Sequence, residues 1–230
     1  MIVDFSSMSP LRILQKSARK GLGRGNLGVL VARAGVGKTA CLIHIAFDKL
    51  FRGEKLLHIS VADTPEKVTS YYNVIYYDLI KALSLESDQE SRALMERNRM
   101  ILAYLNQSFE IDRLRRNLDN LRKHTGFEPD DLIVDGMDFG RSDRASLEGF
   151  QQVAAEFNAE VWFSAVSHRH RPERNQQGIP HPLTEIDGFF QIILQLNPDA
   201  AGIHLNLLKD QDTYGDPVAS MYNHSTSQNP

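Results

Sequence analysis

ARAGVGKTA, residues 32–40, joins one apolar run, GVLVA at 28–32, to another, CLIHIAF at 41–47. Two glycines one residue apart let a backbone curl so that successive N–H groups point inward at an anion. A helix that begins near the second glycine adds the positive end of its dipole. The stretch therefore predicts a strand, a phosphate-binding loop and a helix, in that order.

The residues after the glycines favour a nucleoside triphosphate over a simple turn. Lys38 would reach the β and γ phosphates, and the Thr39 hydroxyl would bind Mg²⁺. An ordinary strand–turn–helix junction explains the glycines but not a lysine followed by a threonine. Ala32 stands where this loop pattern usually has its first glycine. The predicted nucleotide-binding residues are Arg33, Ala34, Gly35, Val36, Gly37, Lys38, Thr39 and Ala40.

A second apolar run ends in an acidic residue. In DDLIVDGMDF, Asp135 directly follows Leu132–Val134, about a hundred residues after the loop. Alone, such an aspartate is more often a turn residue. In an α/β pattern that already contains a phosphate loop, it would hold the water shell of Mg²⁺. We therefore predict Thr39 and Asp135 as the metal-binding residues.

Composition limits the class of protein. The chain has 230 residues, of which 42% are hydrophobic and 24% charged, as in a soluble globular protein. Its formal net charge of −3 gives no general attraction to nucleic acid or anionic lipid. Cys41 is the one cysteine, and the amino terminus lacks the pattern of a signal peptide. We expect a cytoplasmic protein without membrane contact.

Strand-like runs alternate with helical patterns through residue 166. This alternation predicts an α/β fold with a mostly parallel central sheet flanked by helices. The predicted strands are 28–32, 55–62, 132–134 and 161–166, and the predicted helices are 38–52, 65–83, 86–105, 112–125 and 145–158.

The alternation of strands and helices ends near the carboxyl terminus. Apolar runs at 189–196, 202–209 and 217–222 are separated by the turn-like sequences NPDAAG and DQDTYGD. Such spacing predicts antiparallel hairpins on one edge of the sheet. We expect a single domain over residues 1–225 and a flexible tail at 226–230.

In this order the motifs resemble those of the RecA-like P-loop ATPases, in particular the single-domain relatives of KaiC, RadA and the DnaB helicase core. The resemblance covers residues 10–225. It implies ATP and Mg²⁺ as cofactors, terminal hairpins that complete the core sheet, and a homo-oligomer with nucleotide near the subunit interface. It rests on GNLGVLVARAGVGKTACLIHIAF, HISVADTPEKV, LIVDGMDF, VWFSAVSHR and LNLLKDQDTYGDPVASMY.

The chain differs from this family at residues that accelerate ATP hydrolysis. The family's water-orienting glutamate aligns with Ala62, whose methyl group cannot accept a proton. The neighbouring Asp63 is the candidate substitute, although it also flanks a helix start at Thr64-Pro65. Asp138 is a further acid whose alternative role is that of a loop carboxylate.

A second departure concerns the lysine and arginine that relatives direct at the γ phosphate of a neighbouring subunit. Lys209 is present, but Gln211 occupies the arginine position. An arginine finger contributes about 10³-fold or more to the rate, and glutamine cannot supply its charge. His168, at the end of the strand 161–166, aligns with a polar sensor of the γ phosphate. The candidate catalytic residues are therefore Asp63, His168 and Lys209.

Two segments are candidates for partner binding. The segment 168–178 is rich in arginine and histidine and aligns with a loop that binds single-stranded DNA, but it lacks aromatic stacking residues and equally fits a solvated surface loop. His168, His170 and His181 form at most a weak metal pattern. Four tyrosines predict either a docking face for a protein partner or a core stripe. They are Tyr71, Tyr72, Tyr76 and Tyr77.

These patterns favour a Mg·ATP-binding protein with slow or degenerate hydrolysis that serves as a nucleotide-dependent regulatory or assembly switch. One alternative is an active DNA-dependent ATPase of the recombinase or helicase type. Another is a phosphotransferase that acts on a small substrate. Single-stranded nucleic acid is a possible but disfavoured partner because the net charge is negative.

Overall fold

The computed structural model describes residues 9–16, 21–82, 89–104, 109–140, 144–168, 173–200 and 202–222. A 3-10 helix at Pro10–Lys16 precedes the first strand, and another lies at Asp187–Phe189. The strands are β1 (Leu27–Arg33), β2 (Leu56–Ser60), β3 (Arg99–Ala103), β4 (Asp131–Asp135), β5 (Glu160–Ser167), β6 (Ile192–Asp199), β7 (Gly202–Asp210) and β8 (Thr213–Tyr222). The α-helices are α1 (Lys38–Leu50), α2 (Pro65–Ala82), α3 (Gln89–Asn98), α4 (Ile111–Thr125) and α5 (Arg144–Glu156).

All eight strands belong to one sheet, in the order β3-β2-β4-β5-β1-β6-β7-β8. The pairs from β3 to β6 are parallel, whereas β6–β7 and β7–β8 are antiparallel. The predicted α/β class, with a mostly parallel sheet, flanking helices and antiparallel C-terminal strands, is therefore confirmed.

Helices cover both faces of the sheet, so its central strands are almost completely buried. In β1, Leu30 faces a cluster that includes Leu42 of α1 and Tyr72 of α2. The adjacent Val29 faces a second cluster with Phe150 of α5, because successive side chains of a strand point to opposite faces. Among the described residues, the helices include none that is both long and apolar enough to cross a membrane.

Parallel pairing brings several strand ends to one margin, which we call the carboxyl edge. Arg33 at the end of β1 pairs with Ser167 at the end of β5, and Ser60 of β2 pairs with Asp135 of β4. The segment that follows β1 lies at this edge, and the carboxyl ends of parallel strands are where open α/β sheets usually bind ligands.

The opposite end of α1 is fixed to the amino edge of the sheet. Lys49 Nζ donates to Glu160 Oε2 at 2.7 Å and lies 3.1 Å from Asp131 Oδ1. The other oxygen of Glu160 accepts the backbone N–H of Gly23 at 3.0 Å. Because Glu160 and Asp131 begin β5 and β4, this buried ion cluster ties the last turn of α1 to β5, which pairs with β1, and to the next strand, β4.

The single helix predicted over 86–105 is wrong. The structure has a shorter helix, α3, which ends at Asn98, and then the edge strand β3. The run Arg99–Ala103 pairs in parallel with β2 instead of continuing the helix. The apolar run MILA at 100–103 is too short for its period to distinguish a helix end from a strand.

The turns between the C-terminal strands are tighter than predicted, and β7 and β8 are longer. Strand β6 begins at Ile192 rather than 189, because Phe189 still belongs to a 3-10 helix, and it continues through the predicted turn to Asp199. The second predicted turn shrinks to Gln211 and Asp212, so that β8 begins at Thr213. The predicted tail, 226–230, lies outside the described residues.

Candidate functional site

The loop between β1 and α1 is the predicted phosphate loop. Gly35 and Gly37 have φ values of 77° and 99°, in the left-handed region that favours glycine. A Cβ placed on Gly35 would meet nothing within 4 Å, so the loop is open where it curls. Helix α1 begins directly afterwards, at Lys38, and directs its first N–H groups and its positive dipole end into the loop.

The alanine at the first position of the loop pattern does not disturb this geometry. Ala32 is still part of β1, where it pairs with Val166 of β5, and it is 1% exposed. An extended residue has no need for a glycine backbone. Alanine therefore fits at this position, and the curl of the loop depends on Gly35 and Gly37.

Lys38 folds over the loop that precedes it. Its Nζ donates to the carbonyl oxygen of Arg33 at 3.1 Å. Burial lowers the pKa of Lys38, and the charge of Asp135 partly opposes that shift. The ammonium group is thus held at the loop, close enough to Asp135 to interact with its charge.

Thr39 and Asp135 meet across the carboxyl edge. Thr39 Oγ1 donates to Asp135 Oδ2 at 2.6 Å. Ser164 of β5 donates a short hydrogen bond to Asp135 Oδ1 and accepts the N–H of Gly136 at 3.1 Å. The structure therefore brings together the two residues predicted to bind metal and adds a third group that holds the carboxylate in place.

Sequence reasoning missed Ser164. The residue is 2% exposed in the otherwise apolar strand segment VWFSAV. A single hydroxyl in a buried strand must find a hydrogen-bond partner, which is a usable signal. That partner follows only from the alignment of β5 beside β4, with Val134 paired to Phe163.

The end of β2 reaches the same site. A Cβ placed on Gly136 would lie 2.9 Å from the Cβ of Ala62, so Ala62 stands directly beside the residue that follows Asp135. A side chain that replaced its methyl group would extend from the carboxyl edge, where Asp135 lies.

Asp63 makes contacts expected of a residue beside a helix start. Its Oδ1 accepts Lys67 Nζ at 2.7 Å, and its N–H donates to Ser60 Oγ at 2.9 Å. Thr64 Oγ1 accepts the N–H of Lys67 at 3.4 Å, and Pro65 is the first residue of α2. These contacts fit the structural interpretation of Asp63, whose carboxylate is engaged by a lysine.

Two further candidates follow strands at this edge. His168 is exposed and directly follows β5, whose last residue pairs with Arg33. It therefore lies beside the start of the phosphate loop. Asp138 accepts the N–H of Gly140 at 3.0 Å, as a loop carboxylate does.

Lys209 lies away from the phosphate loop of its own chain. It pairs with Ile193, which pairs with Val29, four residues before Arg33 along β1. Its Nζ donates to the carbonyl oxygen of Asp187 at 2.9 Å, and burial lowers its pKa. The candidate catalytic lysine is thus not grouped with Asp63 and His168.

A ring and a turn hold Lys209 at this position. Its Nζ lies 5.0 Å from the centroid of the Tyr214 ring, and Tyr214 OH donates to Asp187 Oδ2 at 2.6 Å. Burial raises the pKa of Tyr214 to about 12, and Asp187 adds to the shift. Gln211 follows with φ of 56° in the β7–β8 turn, and its N–H donates to Gln191 O at 2.6 Å.

The basic segment 168–178 is described only in part, since residues 169–172, including His170, lie outside the described ranges. Arg174 donates to the carbonyl oxygen of Gly178 at 2.6 Å, and Asn175 Oδ1 accepts two backbone N–H groups of the same turn. In the described portion, these side chains form hydrogen bonds with the backbone of the same turn. The ranges that the structure describes contain no cluster of three or more His, Cys, Asp or Glu side chains suited to a metal.

A cavity of about 540 Å³ opens between the phosphate loop and α2. We call it the α1–α2 cavity. One wall is the loop and the first turn of α1, and the other is the middle of α2. Its lining residues are Gly35, Gly37, Lys38, Thr39, Ala40, Ser70, Tyr71, Val74 and Ile75.

The four tyrosines of α2 divide between the core and the surface. Tyr72 and Tyr76 are 0% and 5% exposed and belong to the core. Tyr71 is half-buried in the cavity wall, whereas Tyr77 is 56% exposed and accepts a hydrogen bond from Arg92 at 3.1 Å. Two of the four rings therefore belong to the core, one is half-buried at the cavity and one is exposed.

Comparison with models of known protein families gives no match. A search of curated proteins likewise finds no similar sequence.

Proposed function

We propose that this chain is a RecA-like, Mg·ATP-binding protein that hydrolyses ATP slowly and acts as a nucleotide-dependent regulatory or assembly switch. The observation that carries the proposal is the hydrogen bond between Thr39 and Asp135. A hydroxyl at the start of the helix after the glycine loop and a carboxylate at the end of a neighbouring buried strand converge at 2.6 Å. This pairing of a hydroxyl and an acid is the one with which phosphate-loop proteins hold magnesium.

The residues present fit Mg·ATP. The open turn at Gly35 and Gly37 provides inward-facing N–H groups for phosphate oxygens, and Lys38 provides a cation at the same place. Thr39 and Asp135 supply the oxygen ligands that Mg²⁺ prefers. Ser164 keeps the Asp135 carboxylate oriented. The metal, when bound, would neutralise charge on the phosphate oxygens.

We expect slow hydrolysis because the side chains around this binding site are poorly suited to accelerate it. Position 62, beside Gly136, carries a methyl group in place of a water-orienting acid. The nearby Asp63 carboxylate is engaged by Lys67. Lys209 is fixed to Asp187 and is 6% exposed, so it would have to leave that contact to reach a neighbouring subunit. Strong binding with weak turnover suits a switch better than a motor.

The decisive experiment measures binding and turnover on the same protein. Calorimetry should show saturable uptake of Mg·ATP and Mg·ADP, and Lys38→Ala should weaken ATP binding by about tenfold or more, because a charge-assisted contact is lost. Lys123→Ala, which removes an exposed lysine on α4, is the matched control and should bind like the wild type. Folding of each variant is checked by circular dichroism.

Single-turnover hydrolysis with and without single-stranded DNA separates the alternatives. We expect slow turnover that DNA does not stimulate, together with a change in sedimentation when Mg·ATP is added. Strong stimulation by DNA would favour the DNA-dependent ATPase. A folded wild-type protein that takes up neither Mg·ATP nor Mg·ADP at about millimolar concentration would overturn the proposal.

A further inference from the structure

Helix α4 carries more positive charge than its own acids can neutralise. Between residues 112 and 123 it has five arginine and lysine side chains and two aspartates. Its apolar side, with Leu114 and Leu118 completely buried, packs in the same cluster as Phe150 of α5. Helix α4 therefore covers the face of the sheet opposite to α1 and α2, and its charged side faces solvent.

The two aspartates of α4 are engaged by two of these arginines. Arg115 Nη1 lies 3.9 Å from Asp112 Oδ1, and its Nε lies 3.2 Å from Glu156 Oε2 of α5. Arg122 Nη2 lies 2.9 Å from Asp119 Oδ1. Both aspartates are therefore neutralised by their near neighbours, and the remaining cations of the helix have no acid of α4 as a partner.

The remaining cations form a row on the solvent side of the helix. The row consists of Arg113, Arg116 and Lys123, with Asn120 between the last two, and we call it the α4 basic row. Its members are exposed and are three or four residues apart, so they are neighbours along one face of about 15 Å. Arg116 and Lys123 each follow an aspartate by four residues, a spacing that favours an ion pair. Within the described part of the chain, neither of them has an ion pair or a hydrogen bond.

The stability of the helix does not account for this row. Lys123 lies in the last turn, where a cation interacts favourably with the helix dipole. Arg113 lies in the first turn, where the same dipole is unfavourable to a cation, and Arg116 lies in the middle, where the dipole has little effect. The Arg113 guanidinium lies 5.4 Å from the centroid of the Tyr104 ring, a contact that leaves its charge in place. The positive charge of the row is therefore available to an external anionic group.

The surroundings of the row limit the kind of anionic partner. Exposed acids lie beyond both of its ends, with Glu110 and Asp112 before it and Glu128 after it. These acids would repel a polyanion longer than the row, such as nucleic acid, to which the net charge of −3 gives no general attraction. The large hydrophobic side chains that the described residues expose, Val74 and Tyr77, are on α2, so α4 has no apolar group to insert into a membrane.

We propose that the α4 basic row is a docking surface for a short acidic segment of a partner protein. An extended segment of about five residues covers 15 Å, which matches the length of the row. Its Asp or Glu carboxylates would accept charge-assisted hydrogen bonds from Arg113, Arg116 and Lys123, and Asn120 supplies an amide between them. Such contacts at an exposed surface are sensitive to salt. The proposal goes beyond nucleotide binding and does not depend on it, because the row and the phosphate loop lie on opposite faces of the sheet.

The test uses the full chain and a fluorescein-labelled hexaglutamate peptide, with binding followed by fluorescence anisotropy. The wild type should bind the peptide in about 50 mM salt and release it in about 300 mM salt. Arg116→Glu combined with Lys123→Glu should weaken binding by about tenfold or more, because two attractive contacts become repulsive. The matched control combines Lys81→Glu with Arg97→Glu, which changes the net charge equally at exposed residues of α2 and α3. It should bind the peptide nearly as well as the wild type.

The remaining outcomes would overturn the proposal. No binding by the folded wild type at about millimolar peptide in low salt would refute the docking surface. Equal losses in the two double variants would refute it as well, because net charge and not the row would then be the cause. Displacement of the peptide by Mg·ATP would place it at the phosphate loop instead. Tighter binding of a short DNA duplex, lost in the α4 double variant, would assign the row to nucleic acid and not to an acidic protein segment.

Discussion

The hydroxyl of Thr39 lies 2.6 Å from a carboxylate oxygen of Asp135, although 96 residues separate them in the chain. One belongs to the helix that follows β1 and the other to the end of β4, and β5 lies between these two strands. Ser164 on β5 donates a hydrogen bond to the other oxygen of the same carboxylate. The proposed metal site therefore depends on the order of the strands in the sheet.

Asp135→Asn should weaken ATP binding when Mg²⁺ is present and have little effect when it is chelated. The amide keeps the shape of the side chain but loses the charge that attracts a divalent cation. We expect a loss of about tenfold or more, measured by calorimetry in magnesium and in EDTA. Asp138→Asn, at the same edge, is the control and should change neither value. Equal losses with and without Mg²⁺ would contradict a metal role for Asp135.

Ala62→Glu should raise the rate of ATP hydrolysis. A carboxylate beside Gly136 would stand at the carboxyl edge near Asp135, and a positioned base typically contributes about 10²–10⁴-fold. We expect an increase of about tenfold or more in single-turnover rate, with ATP affinity unchanged. Asp63→Ala is the companion variant, expected to leave the rate as it is because Lys67 already engages that carboxylate. A rate that falls in Asp63→Ala would instead identify Asp63 as the group that orients water.

Lys209→Ala should reduce stability and leave ATP affinity unchanged. The side chain is nearly buried, donates to Asp187 O and lies against the Tyr214 ring, so its truncation removes a partly buried hydrogen bond from a charged donor together with this ring contact. Such losses lower the free energy of unfolding by about 1–3 kcal/mol, which urea denaturation would measure. The exposed Lys123 provides the control. Unchanged stability combined with slower turnover in the assembled protein would point to a role at a neighbouring subunit.

The free energy of unfolding should fall as the pH decreases from about 6.5 to about 4. His58 is 0% exposed in β2, and its Nδ1 lies 3.1 Å from Tyr72 OH. Burial lowers the pKa of His58 to about 4, and the charge of Asp135 opposes this only in part. The unfolded imidazole takes up its proton near pH 6.5 and the folded one near pH 4. The contribution of His58 is therefore complete above pH 6.5 and is lost between these values, on the order of 3 kcal/mol.

Urea denaturation over this pH range tests the assignment to His58. In His58→Gln the fall should become shallower, because the titrating group is gone. His124→Gln, which changes an exposed histidine on α4, should keep the wild-type profile. An unchanged slope in His58→Gln would show that other groups cause the acid sensitivity.

The parts of the site that depend on local chemistry could be predicted from the sequence. The pattern of Gly35, Gly37 and Lys38 predicts a tight turn before a helix, which the structure contains, and Asp135 lies at the end of its strand as predicted. Ser164 and the cavity wall at Tyr71 depend on which strands and helices are neighbours, which one sequence pattern does not encode. Strand β3 could not be predicted because the apolar run MILA at 100–103 is too short to show either a helical or a strand period.

The ion cluster around Lys49 has a mechanical consequence for the far end of α1. A helix whose last turn is clamped by Glu160 and Asp131 is not free to slide along its axis. If Lys38 binds phosphate as we propose, we expect the loop to adjust through the torsion angles of Gly35 and Gly37, which lie directly before the helix. We therefore expect the loop to move on ligand binding and α1 to stay in place.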